Sequence, residues 1–274
     1  MRRTSGAPVV EGDTFSRRIT RLLYHSRDAA RGPSRVGAFL GDSQLHRMFE
    51  TIGTTYDVQN HLLSVGRDRH WRRMLADLIG REPVASVVDM ATGTGDVAIE
   101  LARRFPSAQI AGIDYSQKML AVAASKLAHT RNAAIRGRVR LLQADIRETG
   151  LPAEGADVVT ISFALRNLED RLPALDEFRR LLRPGGRLFI MEFALPETPI
   201  VGRAYRLYFD HLMPLAGNLL SRTDYAYTYL KESVHGFPSP PEFVSEIERS
   251  GFAGVRAVPM TFGLSTIYCA RRPA

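Results

Sequence analysis

Cysteine and lysine are nearly missing from this chain: one cysteine, Cys269, and three lysines, Lys118, Lys126 and Lys231, occur among 274 residues. A single cysteine excludes a disulfide framework and a cysteine-built zinc site, and no metal site is expected. No apolar run approaches the ~20 residues that cross a bilayer, which excludes a helical integral membrane protein. No secretory apolar region stands near the start, so the expected location is cytoplasmic. Hydrophobic residues at 45% with 24% charged exclude a disordered or collagen-like chain. The length fits one large α/β domain or two small ones.

With so few lysines, 34 of the 37 basic residues are arginine, and the formal net charge is +8. Such a balance invites a nucleic-acid reading. Its distribution argues otherwise. Eight arginines and three acids in residues 1–35 hold +5 of the charge, leaving +3 for the other 239 residues. The body is nearly neutral and carries no basic stripe with interleaved aromatics, so no nucleic-acid partner is expected. Residues 1–43 read as a basic N-terminal extension rich in Gly, Pro, Ser and Arg. Within it Thr14 can cap a helix with Phe15, Ile19, Leu22 and Leu23 on one face and Arg17, Arg18 and Arg21 largely off it. Such a helix suits an anionic membrane surface; a solvated arm, a transit-peptide fragment and a mis-assigned start codon are the alternatives.

From Leu45 the texture is helical through Tyr56–Gly66 and Trp71–Gly80, and then strands and helices alternate. Strands are expected at Ala85–Asp89, Gln109–Asp114, Val139–Gln143, Ala156–Ser162 and Arg187–Phe193. Helices are expected at Asp96–Phe105, after a Ser116 cap, and along a face of Leu172, Leu175, Phe178, Leu181 and Leu182 closed by Pro184-Gly185-Gly186. This alternation implies a parallel sheet covered on both faces. Ser239, Pro240 and Gly251 then punctuate a short helix, and Val255–Met260 and Leu264–Ala270 form a closing hairpin around Thr261-Phe262-Gly263. A seven-stranded, mostly parallel sheet ending in an antiparallel hairpin is the Rossmann-like class I methyltransferase arrangement, unlike that of plain dinucleotide dehydrogenases.

The first strand ends at Asp89 and runs into Met90-Ala91-Thr92-Gly93-Thr94-Gly95-Asp96. Glycines there permit a tight turn and a close approach of ligand to backbone, at the carboxyl end of a parallel strand. The loop is ambiguous, because Gly93 to Ala98 also satisfies the G-x-G-x-x-A dinucleotide pattern. Asp114 ends the second strand, where a carboxylate can hold the ribose of either NAD or S-adenosylmethionine. Asp145-Ile146 follows the third strand, placed for an adenine amino group and ring. The fourth delivers Ser162-Phe163-Ala164-Leu165-Arg166-Asn167 to where donor and acceptor should meet. The structural alternatives are a helix cap for Asp145 and a satisfied strand-end hydroxyl for Ser162.

Several motifs together resemble the menaquinone/ubiquinone biosynthesis C-methyltransferases (UbiE/MenG type) over about residues 45–270. They are Tyr56-Asp57-x-x-Asn60-x-x-x-Ser64-x-Gly66-x-x-Arg69-x-Trp71-Arg72-Arg73, Ile161 to Asn167, Arg183 to Leu188, Glu192-Phe193, and Tyr227-x-Tyr229-Leu230-x-Glu232-Ser233 with Phe237-Pro238. The glycine loop is common to many methyltransferases; the first motif and Arg166-Asn167 are far more specific. The resemblance implies S-adenosyl-L-methionine held by Thr94, Asp114, Asp145, Ile146 and Ser162, alongside Asp89, Gly93 and Gly95 of the glycine turn. It departs at Gln59, His61, Ala164 and Ala194-Leu195, which bears on the acceptor more than on the reaction.

The implied reaction is C-methylation of a polyprenylated quinol, demethylmenaquinol first, with 2-methoxy-6-polyprenyl-1,4-benzoquinol as a second acceptor. Loss of a phenolic proton makes the ortho carbon nucleophilic, so the site must stabilise a phenolate. Arg166 is the leading catalytic candidate, with Asn167 holding ring or cofactor; the structural alternative for Arg166 is an ion pair with Glu192 or Asp210. Tyr56, Asn60, His211 and Tyr229 are the substrate-side candidates. Trp71-Arg72-Arg73 reads as packing plus a solvated basic edge. Five of nine tyrosines fall in residues 199–235, an aromatic insert suited to a lid over a prenylated ring or to a homodimer interface. A lipid-borne substrate implies transient docking on the inner membrane face. The rival readings are a same-fold methyltransferase for another phenol and a non-catalytic cofactor-binding scaffold.

Overall fold

The computed structural model describes residues 66–194 and 232–274, together with Asp57, Asn60, His61, Ser64, Pro196, Gly202, Arg203 and Leu207. All belong to the unit Arg35–Ala274. The Thr14 helix, the basic extension, Tyr56, His211, Tyr229 and nearly all of the aromatic insert lie outside the described residues.

Helix α1 spans Asp68–Ile79 and buries Trp71, Leu75, Ala76 and Ile79 on one side. Strand β1 (Ser86–Met90) is followed by α2 (Asp96–Arg104), β2 (Gln109–Asp114), α3 (Gln117–Ala128), α4 (Ala133–Arg138), β3 (Val139–Gln143) and β4 (Ala156–Ser162). Helix α5 (Leu172–Leu181), β5 (Leu182–Phe193), α6 (Pro240–Arg249), β6 (Ala253–Met260) and β7 (Ser265–Arg271) complete the described elements. The local chemistry is as the sequence suggests. Ser116 Oγ accepts the Met119 N–H at 3.2 Å and starts α3. Asp96 sits in the first turn of α2 and Arg103 and Arg104 in its last, each favourable to the helix dipole. Gly251 takes φ +87° just past α6, where a side chain would be strained.

The seven strands are ordered β3-β2-β1-β4-β5-β7-β6. Strands β1 to β5 run parallel, and β7 lies antiparallel to both β5 and β6. Strand order reverses between β1 and β4, so the crevice at their carboxyl ends is the topological switch point where α/β folds bind ligands. Register places Asp89 beside both Gly112 and Thr160 there. The hairpin turns at the same end, because Phe193 pairs with Ser265. Its tip is held against α1 by Trp71 Nε1, which donates to Thr261 Oγ1 at 2.8 Å.

Two expectations need correction. Leu172 does not join the buried face of α5; it opens the helix and is 52% exposed, with no preceding turn to cover it. Pro184-Gly185-Gly186 does not close a helix but lies inside β5, at a register irregularity between Ala156 and Val158 of its neighbour.

Candidate active site

The switch-point crevice opens beside the glycine turn into a cleft lined by residues of the turn, the end of β4 and the segment before and within α1. Its floor is Asp89, 1% exposed. The Asp89 carboxylate accepts Thr92 Oγ1–H at 2.6 Å and Thr160 Oγ1–H at 2.7 Å. Burial pushes its pKa up to about 6, against those hydrogen bonds. The turn above it is left-handed at Ala91 (φ +48°), Gly93 (φ +56°) and Gly95 (φ +80°). It is pinned from β2, where Asp114 Oδ2 accepts the Gly93 N–H at 2.7 Å and Oδ1 accepts the Ser116 N–H at 2.9 Å.

Because Asp89 holds its proton more tightly folded than unfolded, its contribution to stability is full below about pH 4 and is lost as pH rises through about 6. Asp89→Asn removes that dependence. In urea denaturation the wild type should gain about 1 kcal/mol relative to the variant as pH falls from 8 to 5. A difference that stays flat across that range would refute the buried, proton-retaining carboxyl.

The opposite wall comes from the segment before and within α1: Asp57, Asn60, Asp68 and Arg72 line the cleft with Asp96, Ser162 and Phe163. Thr94 Oγ1 donates to Asp57 Oδ1 at 2.6 Å and accepts from Lys126 Nζ at 2.9 Å, so the Thr94 hydroxyl is already engaged. Lys126 also pairs with the carboxylates of Asp57 and Asp96. Arg72 bonds Asp68 at 2.7 Å and reaches Asp96 at 3.3 Å, so it is part of a charge network and not a solvated edge. Asp68 also takes His61 Nδ1 at 2.8 Å. Burial opposes ionisation of Asp68, yet His61 and Arg72 together hold it below the usual carboxylate range.

Of the residues named from sequence, the cleft gathers Asn60, Asp89, Gly93, Thr94 and Ser162 in its lining. Gly95 caps α2 directly behind it, and Asp114 reaches it through the Gly93 amide. Asp145, Ile146, Arg166 and Asn167 stand outside the lining. Asp145 closes its own turn by accepting the Arg147 N–H at 2.8 Å, and Arg147 NH2 caps its other oxygen at 2.6 Å. Ile146 is 9% exposed.

Arg166 adopts the structural alternative at least in part: NH1 bonds Glu192 Oε2 at 3.1 Å and the Phe163 carbonyl, over the Phe193 ring at 5.4 Å. Both side chains are buried, at 5% and 1% exposure, and burial pushes the Glu192 carboxyl up despite its partner. Phe163 is left-handed at φ +58° and stacks on Phe193 at 4.4 Å, so the turn after β4 is strained where it meets the cleft. Ser162 Oγ and Arg166 Nε are buried with no hydrogen-bond partner among the described residues. The unspent Ser162 hydroxyl, at the end of β4 and in the cleft lining, points to a ligand there; Arg166 follows in the next turn, outside the lining.

Sequence reading missed Asp68, Arg72, Asp96 and Lys126. Asp96 directly follows the second glycine and Lys126 is one of three lysines, the only local signals they carry. The profile of the ubiE/COQ5 methyltransferase family matches residues 38–272.

The chain belongs to that family.

It is 41% identical over 221 residues to the ubiquinone/menaquinone biosynthesis C-methyltransferase UbiE of Syntrophotalea carbinolica, covering 81% of this chain and 91% of that one. It is likewise 41% identical over 227 residues to the demethylmenaquinone methyltransferase of Thermus thermophilus, covering 82% of this chain and all of that one. Among solved structures, a SAM-dependent methyltransferase from Thermotoga maritima shares the fold, with TM-score 0.56 and 16% identity over 83% of this chain and 99% of that chain. The family match begins at residue 38, after the basic residues 1–35. Among the described residues no helix is long and apolar enough to cross a membrane, and no cluster of His, Cys, Asp and Glu could hold a metal ion.

Proposed function

We propose that the protein is an S-adenosyl-L-methionine-dependent C-methyltransferase acting on a polyprenyl quinol, with demethylmenaquinol as the primary acceptor. The observation that carries this reading is the charge of the cleft. Asp57, Asp68, Asp89 and Asp96 line it, facing two cations, Arg72 in the lining and Lys126 behind it. A dinucleotide's pyrophosphate would be repelled by such walls, whereas a cofactor bearing a sulfonium and an ammonium is attracted. This separates the two ligands that the glycine pattern leaves open.

The residues present fit the group. The orphaned Ser162 hydroxyl supplies a donor in the cleft, and Gly93 and Gly95 leave the turn's backbone open to close approach. Asp114 would hold the ribose, Asp145 the adenine amino group and Ile146 the ring face; each carboxylate keeps acceptor capacity beyond its present bonds. Asp89 and Thr94 act by shaping the turn, since their oxygens are already engaged. When bound, S-adenosyl-L-methionine supplies an electrophilic methyl group on sulfur.

On the acceptor side, Arg166 stabilises the quinol as its phenolate. Glu192 pairs with Arg166 NH1, and the buried Nε–H has no partner among the described residues. Asn167 and Asn60 orient the ring. The basic stretch before the family match brings the enzyme to the anionic surface that holds its substrate.

Purified protein with labelled S-adenosyl-L-methionine and reduced demethylmenaquinone should yield labelled menaquinol. A parallel reaction with 2-methoxy-6-polyprenyl-1,4-benzoquinol tests the second acceptor. Absence of transfer to either would remove the acceptor assignment.

A further inference from the structure

We propose that Lys126 is a positioning residue that latches the segment bearing Asp57 and Asn60 across the cleft, and so sets how long the cofactor stays bound. The proposal rests on reading the cleft as the S-adenosyl-L-methionine site.

Lys126 lies in the last turn of α3, an element that carries no residue of the cleft lining. Its ammonium meets three acceptors: Thr94 Oγ1 at 2.9 Å, Asp96 Oδ1 at 2.8 Å and the Asp57 carboxylate. A lysine head has three N–H donors around a point, and here all three have partners, two from the turn into α2 and one from the segment before α1. Asp96 gives its other oxygen to Arg72 at 3.3 Å, which in turn holds Asp68 at 2.7 Å. Two cations thus alternate with three carboxylates in a continuous string from Asp57 to Asp68.

Four of its five members line the cleft; Lys126 alone stands behind it and ties the string to the sheet side.

The latch is built to open. Lys126, Asp96 and Asp57 are 28%, 34% and 39% exposed, so water and salt reach every contact. Exposed pairs of this kind are individually weak. Asp57 is the member most easily released, because among the described residues it is held by Lys126 and the Thr94 hydroxyl alone. Lifting Asp57 releases the donor side of the Thr94 hydroxyl, in the middle of the glycine turn, while Lys126 still holds its oxygen, so segment opening and turn geometry move together. The chain places lysine here although it uses arginine at 34 of 37 basic positions. A planar guanidinium fork cannot converge on three acceptors as an ammonium does.

The test is binding of S-adenosylhomocysteine to the full-length protein by calorimetry and stopped flow. Lys126→Met should raise Kd about tenfold through faster dissociation, with association within about twofold, and with an unchanged melting temperature. Lys126→Arg should recover part of that loss, and Asp57→Asn should match Lys126→Met. The double variant should be no worse than either single one, because both remove one contact. Rising salt should speed dissociation in the wild type and leave Lys126→Met nearly unaffected. Dissociation from Lys126→Met within twofold of the wild type, or losses that add in the double variant, would overturn the latch while leaving the cleft assignment intact. A wild type that does not bind S-adenosylhomocysteine would overturn the cleft reading and the latch with it.

Discussion

Replacing Arg166 with methionine should abolish methyl transfer, by about 100-fold or more, and also cost about 3–5 kcal/mol of stability. The two effects have different origins. Stability falls because Glu192, 1% exposed, is left as a buried carboxylate without its cation. The Phe163 carbonyl loses its donor too, in a turn already strained at φ +58°. Transfer falls because the unspent Nε–H disappears from the turn that follows β4.

A second substitution separates them. Buried ion pairs exchanged for apolar residues of similar volume are often neutral, so Arg166→Met with Glu192→Leu should return to within about 2 kcal/mol of the wild type. Turnover should stay lost in that double variant while S-adenosylhomocysteine still binds. Recovered turnover would reduce Arg166 to a structural partner of Glu192. Urea denaturation and the labelled methyl-transfer assay give both readings from the same preparations.

Gly95→Ala should be the most damaging small substitution in the glycine turn. At φ +80° an L-residue carries a cost of about 1–2 kcal/mol. The added methyl would also lie 2.9 Å from Ala123 Cβ and 3.4 Å from Ala123 Cα, atoms of α3 that have no rotamer in which to move away. Overpacking of this kind adds about 1–3 kcal/mol. The strain falls on the N-cap of α2, next to Gly93 and Thr94, so cofactor affinity should drop at least about tenfold along with stability. Gly137→Ala provides the contrast. Gly137 sits inside α4 with nothing within 4 Å of the new methyl, and should gain about 0.4–1 kcal/mol. If both substitutions had the same sign, the close approach of the turn to α3 would be wrong.

Much of the fold was legible because the signals are local. The expected bounds of β2, β3 and β4 match those observed, and β1 differs by one residue at each end. Each is a short apolar run between turn residues, which periodicity reports well. The Ser116 cap and the closing hairpin were legible for the same reason: each depends on residues a few positions apart. Leu172 fails because periodicity assigns a face to a residue without asking whether neighbouring turns reach it.

The candidate site divides along the same line. Sequence alone determined the glycine turn, the strand-end acids and the family, since these are short motifs in one stretch of chain. Which atoms are spent and which are free was decided only by the tertiary structure. Thr94 meets Asp57 across 37 positions and Lys126 across 32, Asp89 meets Thr160 across 71, and Arg166 meets Glu192 across 26. A side chain's charge is written in the sequence, but its partner is chosen by the order in which strands lie side by side. That order, reversing between β1 and β4, turns scattered acids into one acid-lined cleft and leaves Ser162 Oγ and Arg166 Nε buried without a partner among the described residues.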